Sequence, residues 1–475
     1  MTSPNVISID IGSTFTKGAV FALDAPHPSV LRRAACPTTT DDLRRGFSQV
    51  LAALCGLPTE TPWQEIRPVA PVRFCSSAKG GLGIVAIGLV PDLTLQLARL
   101  AAMSAGGKIV KSFAYALTAS DVAELERVRP DIVLFCGGTD GGNTAYVMQN
   151  AARLAASRFE GPIIYAGNRV AADRVADILR PRPVAVVPNL MPEINVVNLE
   201  PVREKIREIF LKVIVAGKGL SEIVQRFQTE ARPTPLGVYE LMEAIPRIRP
   251  DWDDVCAIDL GGATTDFYSN TESFLETDSV VLKGIREPRL KRTVEGDLGL
   301  RVSAPALLDS AADYLAAALK RVGLSEAALR EYVARLMRDP GHVPDGPHEK
   351  TLDALMAEAC VYLAARRHAG SFRETYTPQG RVYLQTGKDL RRVRRVIGSG
   401  GYLSTCEDSG LMARAFRQLK VAGPEIVLAP EHPVFYADAA GLFPLLGNLV
   451  AVSPEAAVTL ALDSLKPLEL QESPC

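Results

Sequence analysis

Two stretches of this chain combine a carboxylate with a turn rich in glycine and hydroxyl groups. In each, an apolar run typical of a buried strand ends in an aspartate, first at Asp10 and again at Asp259. The turns then offer Gly12, Ser13, Thr14, Thr16 and Lys17 in the first stretch, and Gly261, Gly262, Thr264 and Thr265 in the second. Backbone N–H groups, hydroxyls and an ammonium beside a carboxylate suit a phosphate group and its magnesium ion.

Each stretch by itself fits a β-hairpin with a polar turn just as well. The repeat favours two phosphate turns, because one turn in each of two lobes would hold a single nucleotide from both sides. A third glycine-rich element follows another apolar run, at Gly398, Ser399, Gly400 and Gly401. Glycines at that place let an adenine or a ribose lie against bare backbone. The basic cluster just before it, Lys388 with Arg391, Arg392, Arg394 and Arg395, fits a solvated face better than a ligand clamp.

A fourth glycine cluster, at residues 137–143, follows a predicted strand and precedes a predicted helix. Ligands of doubly wound sheets sit at such places. A tight turn that needs positive φ angles would also explain the glycines, but four glycines with Asp140 and Asn143 favour a functional turn. The spacing differs from GxGxxG, so a dinucleotide fingerprint is not supported.

The predicted elements around these motifs indicate an α/β protein with several domains. The start of the chain reads as three strands, a helix and a strand, which is the pattern of a ribonuclease-H-like half domain. Residues 81–189 alternate strictly between strand and helix, which predicts a Rossmann-like parallel unit inserted into the first lobe. We therefore predict a first lobe from residues 1–80 and 190–250, and a second lobe from residues 251–435. A helix over 436–465 is predicted to pack back on the first lobe.

The roles of two further segments are undetermined. Residues 286–303 are dense in charge and fit either a solvated loop or a contact segment near the cleft or a partner. The small residues from Tyr436 to Phe443 are predicted to open a helix that runs to about Val452 and packs closely, as in a hinge between lobes.

Composition excludes several classes of function. The net charge of −1 over 475 residues gives no indication of a nucleic-acid or anionic-membrane partner. No apolar run reaches the roughly 18 residues that span a membrane, and the polar start predicts no signal peptide. The eight cysteines form no CxxC pair and the five histidines are isolated, so we expect free thiols in a cytoplasmic protein and no transition-metal site.

The three glycine elements around Asp10, Asp259 and Gly398 resemble, in this order, the phosphate-1, phosphate-2 and adenosine motifs of the actin/Hsp70/sugar-kinase ATPase superfamily. The runs DIGSTFTK, CSSAKGGLGIVAIGLVPDLT, FCGGTDGGN, VPNLMPEINVVNLEPVR, IDLGGATTD and RTVEGDLGLR together resemble the glutamate mutase accessory protein family (GlmL/MutL). This resemblance covers almost the whole chain. The mismatch-repair protein that shares the name is unrelated to it.

The resemblance implies an ATP-dependent accessory protein, a reactivase or chaperone, for an adenosylcobalamin-dependent mutase. Asp10 and Asp259 are then expected to hold Mg²⁺ mostly through water, and one of them to orient or deprotonate the attacking water. The turn residues would hold the β- and γ-phosphates of ATP, Gly398, Gly400 and Gly401 would face the adenosine, and Asp266 would support the second turn.

Two other interpretations stay open. A small-molecule kinase of the same fold would need an acceptor base, for which Asp140 is a weak candidate, and a nucleotide-gated binding protein would bind ATP without useful turnover. The client enzyme and the choice between monomer and homodimer are undetermined. No Asp-x-His-x-x-Gly signature is present, so ligation of cobalamin by that route is not expected.

Overall fold

The structure is a computed structural model that describes residues 5–24, 27–77, 82–215, 219–273, 279–378, 380–420 and 425–469. The chain divides into two compact units. The first consists of Met1–Gly80, Ala216–Val281 and Glu287–Cys475, and the second of Gly81–Val215 and Leu282–Arg286. In the described part of the chain, no helix is long and apolar enough to cross a membrane.

The strands are β1 (Asn5–Ile11), β2 (Phe15–Ala22), β3 (Ser29–Pro37), β4 (Val72–Ser76), β5 (Gly83–Gly88), β6 (Lys108–Ala114), β7 (Ile132–Phe135), β8 (Ile163–Tyr165), β9 (Val184–Val186), β10 (Arg232–Pro233), β11 (Val255–Leu260), β12 (Thr265–Asn270), β13 (Val280–Lys283), β14 (Leu290–Glu295), β15 (Ser371–Thr377), β16 (Gly380–Thr386), β17 (Arg395–Ser399), β18 (Ile426–Val427), β19 (Val434–Asp438) and β20 (Leu465–Pro467).

The α-helices are α1 (Leu43–Leu54), α2 (Gln96–Ser104), α3 (Ala119–Val128), α4 (Ala145–Ala156), α5 (Ala172–Ile178), α6 (Glu200–Val215), α7 (Leu220–Phe227), α8 (Thr234–Ile248), α9 (Ala304–Ser310), α10 (Ala312–Val322), α11 (Glu326–Arg338), α12 (Gly346–His368), α13 (Gly400–Leu403), α14 (Leu411–Gln418), α15 (Phe443–Gly447) and α16 (Pro454–Asp463).

Two sheets of the first unit share one pattern of strand order and direction. Their orders are β3-β2-β1-β4-β10 and β14-β12-β11-β17-β19-β20. In each sheet, the strand that ends in an aspartate pairs antiparallel with the next strand of the chain and parallel with the strand on its other side. Asp10 and Asp259 therefore occupy equivalent places in the two sheets.

Both sheets bury one face in a shared apolar core that contains α8, α15 and α16. Val6 and Phe21 reach this core from the first sheet, and Val255 and Tyr268 reach it from the second. The second sheet buries its other face against α9–α12 and α14, whereas Phe47 of α1 packs on Phe74 of the first sheet. Strands covered on both faces are apolar throughout, which explains why the sequence shows continuous apolar runs before both aspartates.

Helices α8 and α15 approach each other closely within the shared core. A Cβ atom added to Gly447 would lie 2.6 Å from the carbonyl oxygen of Gly237 and 2.8 Å from its Cα. Such an approach requires glycine on α15, because any larger residue would push the helices apart. The structure thus places small residues at a helix crossing between the two sheets.

The second unit contains a parallel sheet with the order β6-β5-β7-β8-β9. Alternate residues such as Val85, Val133 and Phe135 pack on α3, α4 and α5. On the other side, α2 contacts α6. The predicted α/β class is confirmed, and the alternation of strands and helices in this region produces the parallel sheet that it predicted.

Two predictions about the elements are wrong. Residues 436–465 do not form one helix: β19 ends at Asp438, Gly441 follows with a φ of +60°, and two separate helices and β20 follow. The run Val434–Ala437 is rich in strand formers and pairs parallel with β17, which overrides the helical pattern of the small residues beyond it. Residues 190–215 were predicted for the first lobe, but they lie in the second unit, where α6 packs on α2.

The charged segment 286–303 is not a solvated loop. Its residues 290–295 form β14, which pairs with β12, and Lys291, Arg292 and Thr293 are buried. Lys388, predicted to belong to a solvated face, is fully buried. Its ammonium donates to the carbonyl oxygens of Pro288 (2.9 Å) and Arg289. Charged side chains enter the interior here because each finds a hydrogen-bond partner.

Candidate functional site

Asp10 lies at the carboxyl end of β1, between Lys17 on β2 and Cys75 on β4. Its Oδ1 accepts hydrogen bonds from the Thr234 hydroxyl at 2.7 Å and from the Cys75 thiol at 3.3 Å. Burial raises the pKa of Asp10, whereas the bond from Thr234, the charge of Lys17 and the bond from Cys75 lower it. Three elements that are distant in sequence therefore hold one carboxylate in place.

The turn after Asp10 is tight and partly open to solvent. The Gly12 N–H donates to the carbonyl of Phe15 at 3.0 Å, and the Thr38 hydroxyl donates to the Gly12 carbonyl at 2.9 Å. Ser13, Thr14 and Lys17 are half-buried. Thr16 differs from them, because it is fully buried and its hydroxyl bonds to that of Thr38 at 3.0 Å.

Asp259 occupies the equivalent place at the end of β11, opposite Asp266 on β12 and Ser399 on β17. Burial, followed by repulsion from Asp266, raises its pKa to about 7, and the charge of Lys17 opposes this shift. Asp266 itself forms a buried ion pair with Arg292. Asp259 thus differs from Asp266, because no described residue donates a hydrogen bond to the Asp259 carboxylate.

The second turn follows Asp259 with a similar closure, since the Gly261 N–H donates to the carbonyl of Thr264 at 2.9 Å. The Thr264 hydroxyl donates to Asp266, and the fully buried Thr265 hydroxyl donates to the carbonyl of Leu298 at 2.8 Å. The hydroxyls of Thr264 and Thr265, which were predicted to hold phosphate, are therefore already bonded to other groups of the protein. Gly261, Gly262 and Thr264 are half-buried.

The segment after β14 forms hydrogen bonds to the second turn. Arg301 donates its backbone N–H to the Gly262 carbonyl at 2.8 Å, and the Ser303 hydroxyl donates to the Ala263 carbonyl at 2.6 Å. The Arg301 guanidinium binds both oxygens of the buried Asp353, at 2.8 and 3.1 Å. Of the two interpretations of residues 286–303, a contact segment beside the second turn agrees with this geometry.

The two turns approach each other. A Cβ atom added to Gly262 would lie 3.5 Å from Cγ2 of Thr14. The Lys17 charge acts on Asp10, Asp259 and Asp438 together, lowering the pKa of each. The structure therefore brings the two sequence-predicted aspartates and both turns into one site.

The three glycines at the end of β17 and directly after it border the same site but have different surroundings. Gly400 has a φ of +90°, and a Cβ atom there would lie 2.7 Å from Oδ1 of Asp259. Gly401 has open space around it, with no other atom within 4 Å of an added Cβ. Gly398 is buried against Met412 and Leu403. Only Gly400 and Gly401 lie where a ligand can reach their backbone.

Asp438 is a site residue that the sequence reasoning missed. It is fully buried at the end of β19 and accepts hydrogen bonds from the Ser399 hydroxyl at 3.0 Å and from the N–H groups of Leu442 and Phe443 at 2.9 and 3.0 Å. Its charge raises the pKa of Asp259. The signal was present, because an apolar run ends in an aspartate here as it does at Asp10 and Asp259.

The carboxylates Asp10 and Asp259 fit a magnesium ion by the chemistry of their oxygens. Magnesium in proteins typically keeps several waters and takes one or two carboxylates. Among the described residues, no group of three or more His, Cys, Asp or Glu side chains is arranged to hold a metal ion directly. A hydrated ion between two carboxylates is compatible with this donor set.

The turn at residues 137–143 lies in the second unit, after β7. Gly137, Gly138 and Gly141 all have positive φ angles. The buried Asn168 accepts from the Gly141 N–H at 3.1 Å, and Asn189 donates to the Gly138 carbonyl at 3.0 Å. The Asp140 carboxylate accepts from the N–H of Arg169 and from Asn189, at 2.8 and 2.9 Å. The positive φ angles account for these three glycines, and Asp140 is held by two residues from segments further along the chain.

Comparisons with known proteins give one family. A family model described as MutL protein matches residues 6–465. The "Protein MutL" of Clostridium tetanomorphum is 36% identical over 461 residues, which cover 95% of this chain and 97% of that protein.

Solved structures resemble the chain much more weakly. They include a glycerol dehydratase reactivase (14% identity, 94% of this chain and 99% of that one, TM-score 0.34) and the diol dehydratase-reactivating factor in nucleotide free form (11%, 97% and 99%, TM-score 0.34). A third is the xylulose kinase from Bifidobacterium adolescentis (12%, 98% and 94%, TM-score 0.31). At these TM-scores the likeness carries no argument.

Proposed function

Because the chain belongs to the MutL protein family, we propose that it is an accessory protein that binds ATP and hydrolyses it to reactivate an adenosylcobalamin-dependent mutase such as glutamate mutase. Family membership supports the accessory role, and the site around Asp10 and Asp259 supports the use of a nucleotide. The observation that carries the proposal is the approach of the two glycine turns, with Gly262 next to Thr14 and both aspartates within the influence of Lys17.

In this proposal the two similar sheets are ribonuclease-H-like lobes of an actin/Hsp70-type ATPase. One lobe offers Gly12, Ser13, Thr14 and Lys17 to the phosphates, and the other offers the backbone of Gly261 and Gly262. Thr16 and Thr265 support the turns from inside, because their hydroxyls are already bonded to Thr38 and Leu298. The half-buried Gly400 and the exposed Gly401 receive the adenosine, while Gly398 makes room for Met412.

The divided roles of the two aspartates follow from their surroundings. Thr234 and Cys75 hold Oδ1 of Asp10, so that this carboxylate is oriented rather than free. Magnesium bound through water between Asp10 and Asp259 would neutralise charge on the β- and γ-phosphates. Asp259, whose carboxylate accepts no hydrogen bond from any described residue, is suited to accept the proton of a water molecule while the oxygen of that water attacks the γ-phosphorus and the bond to ADP breaks.

The output of the cycle is a change in the angle between the two lobes. Helices α8 and α15 cross at Gly237 and Gly447 in the core that both sheets share. Lobe closure around ATP and opening with ADP would be absorbed at this crossing. The mutase client would respond to that motion.

The decisive experiment measures ATP hydrolysis by the purified protein with and without an inactivated adenosylcobalamin mutase. We expect ATP-dependent recovery of mutase activity, lost in Asp259→Asn and retained in Asp41→Asn, whose exposed carboxylate pairs with Arg45 on the protein surface. Fast transfer of phosphate from ATP to a small metabolite would instead establish the kinase alternative. ATP binding without hydrolysis or mutase recovery would leave a nucleotide-gated binding protein.

A further inference from the structure

The Cys75 thiol contacts Asp10 inside a buried polar network that is unusual for a core cysteine. Cys75 is fully buried and lies directly opposite Asp10 in the register between β1 and β4. Its Sγ is 3.3 Å from Asp10 Oδ1 and 3.3 Å from Nδ2 of Asn448. Asn448 also donates to the Ser8 hydroxyl at 3.0 Å, and Ser8 donates to the Leu445 carbonyl at 2.7 Å. The network thus ties Asp10 to the segment around α15.

The direction of the thiol hydrogen bond follows from its partners. An amide N–H only donates, so Sγ accepts from Asn448 and its own hydrogen must point elsewhere. The acceptors within reach are Asp10 Oδ1 at 3.3 Å, the Pro444 carbonyl at 3.7 Å and the Ile9 carbonyl at 4.0 Å. The nearest and the only charged one is the Asp10 carboxylate.

Oδ1 of Asp10 therefore receives two donors, Cys75 and Thr234, whereas no described residue donates to Oδ2. A Cβ atom added to Gly12 would lie 3.8 Å from Oδ2, which places this oxygen toward the first glycine turn. Two donors on one oxygen fix the plane of the carboxylate. Asp10 consequently presents its other oxygen toward the first glycine turn.

We propose that Cys75, held by Asn448, is a positioning residue for Asp10, which it orients so that Oδ2 faces the nucleotide and its hydrated metal ion. This inference rests on the proposed function, since it assigns Asp10 to the same ATP site. A hydroxyl is a stronger hydrogen-bond donor than a thiol, so serine at this place keeps a donor for Asp10. Valine preserves much of the shape of cysteine and removes the donor.

The test compares Cys75→Val, Cys75→Ser and the control Cys256→Val, which changes another fully buried strand cysteine away from Asp10. The kinetic profile, kcat and KM for ATP hydrolysis, is measured for each. We expect Cys75→Val to lower kcat roughly tenfold with little change in KM, because Asp10 loses a donor that orients it while the contacts to the nucleotide are kept.

Recovery of the wild-type profile in Cys75→Ser and no change in Cys256→Val would support the inference. A wild-type profile in a folded Cys75→Val protein would overturn it. The infrared S–H stretching band of Cys75, assigned by its absence in Cys75→Ser, provides a readout independent of activity. We expect this band to shift toward that of a free thiol in Asp10→Leu, which removes both carboxylate oxygens. An unchanged band would overturn the inference even if the wild type did not hydrolyse ATP, whereas absent hydrolysis with a shifted band would reject only the proposed ATPase function.

Discussion

Gly400 and Asp259 lie so close that only glycine fits beside this carboxylate. An added Cβ on Gly400 would lie 2.7 Å from Oδ1 of Asp259 and 2.8 Å from the carbonyl carbon of Leu260, at a φ of +90°. The third glycine element thus packs directly on the end of β11. It joins the region proposed for the adenosine to the residue proposed to act on the attacking water.

We expect Gly400→Ala to weaken ATP binding at least tenfold and to lower the free energy of unfolding by about 1–3 kcal/mol, because both the φ angle and the contact with Asp259 become strained. Fluorescent-nucleotide titration and urea unfolding measure the two effects. Gly401→Ala is the matched control for stability, since an added Cβ there meets no atom within 4 Å. Equal stability of the two variants would contradict the geometry.

Asp259→Asn is expected to lower the rate of ATP hydrolysis by about 10²–10⁴-fold while ATP still binds, because the base is lost and the shape is kept. Nucleotide titration and kcat for both proteins measure this. Unchanged hydrolysis in Asp259→Asn would remove Asp259 from the role of base.

The same carboxyl predicts a pH dependence of stability without ligand. The pKa of Asp259 rises from 3.8 to about 7 on folding, so between these values the folded state binds more protons than the unfolded state. Stability from this group is therefore full at low pH and lost as the pH rises toward 7. We expect Asp259→Asn to be more stable than the wild type at pH 8, by about 1–3 kcal/mol in urea unfolding. Equal stability at pH 8 would contradict the raised pKa.

Gly447→Ala is expected to destabilise the protein by about 1–3 kcal/mol and to slow ATP-driven recovery of the mutase, because the new methyl group would overlap Gly237. The neighbouring change, Gly237→Ala, is a sharp control, since its added Cβ lies 3.4 Å from the nearest atoms of Gly447, which is an ordinary contact. Thermal unfolding and the recovery assay compare the pair. Similar effects of both substitutions would argue against this close helix crossing.

Arg301→Ala is expected to destabilise the protein by about 3–5 kcal/mol, because it leaves the buried carboxylate of Asp353 without its cationic partner. Arg330→Ala serves as the comparison, since Arg330 pairs with Glu326 on an exposed helix face and its loss costs about 0.5 kcal/mol. Urea unfolding measures both. A loss below 1 kcal/mol for Arg301→Ala would show that the pair does not support the second turn.

The sequence alone determined the features that depend on neighbouring residues. The strands that end in Asp10 and Asp259, the glycine turns after them and the alternation in the second unit all follow from apolar runs and turn residues next to one another. The family also followed from local motifs. The helix predicted from Tyr436 failed, because pairing of β19 with β17 outweighed the local preference for helix.

Tertiary structure decided what surrounds each carboxylate, because strand neighbours and side-chain faces depend on long-range register. Cys75 and Thr234 reach Asp10 from 65 and 224 residues away in the chain, and Asp438 reaches Ser399 across 39 residues. The inward direction of Thr16 and Thr265 depends on which face of the sheet is buried, since successive strand residues point to opposite sides. No local pattern contains that information, so only the packed sheets could distinguish the residues that face the site from those that support it.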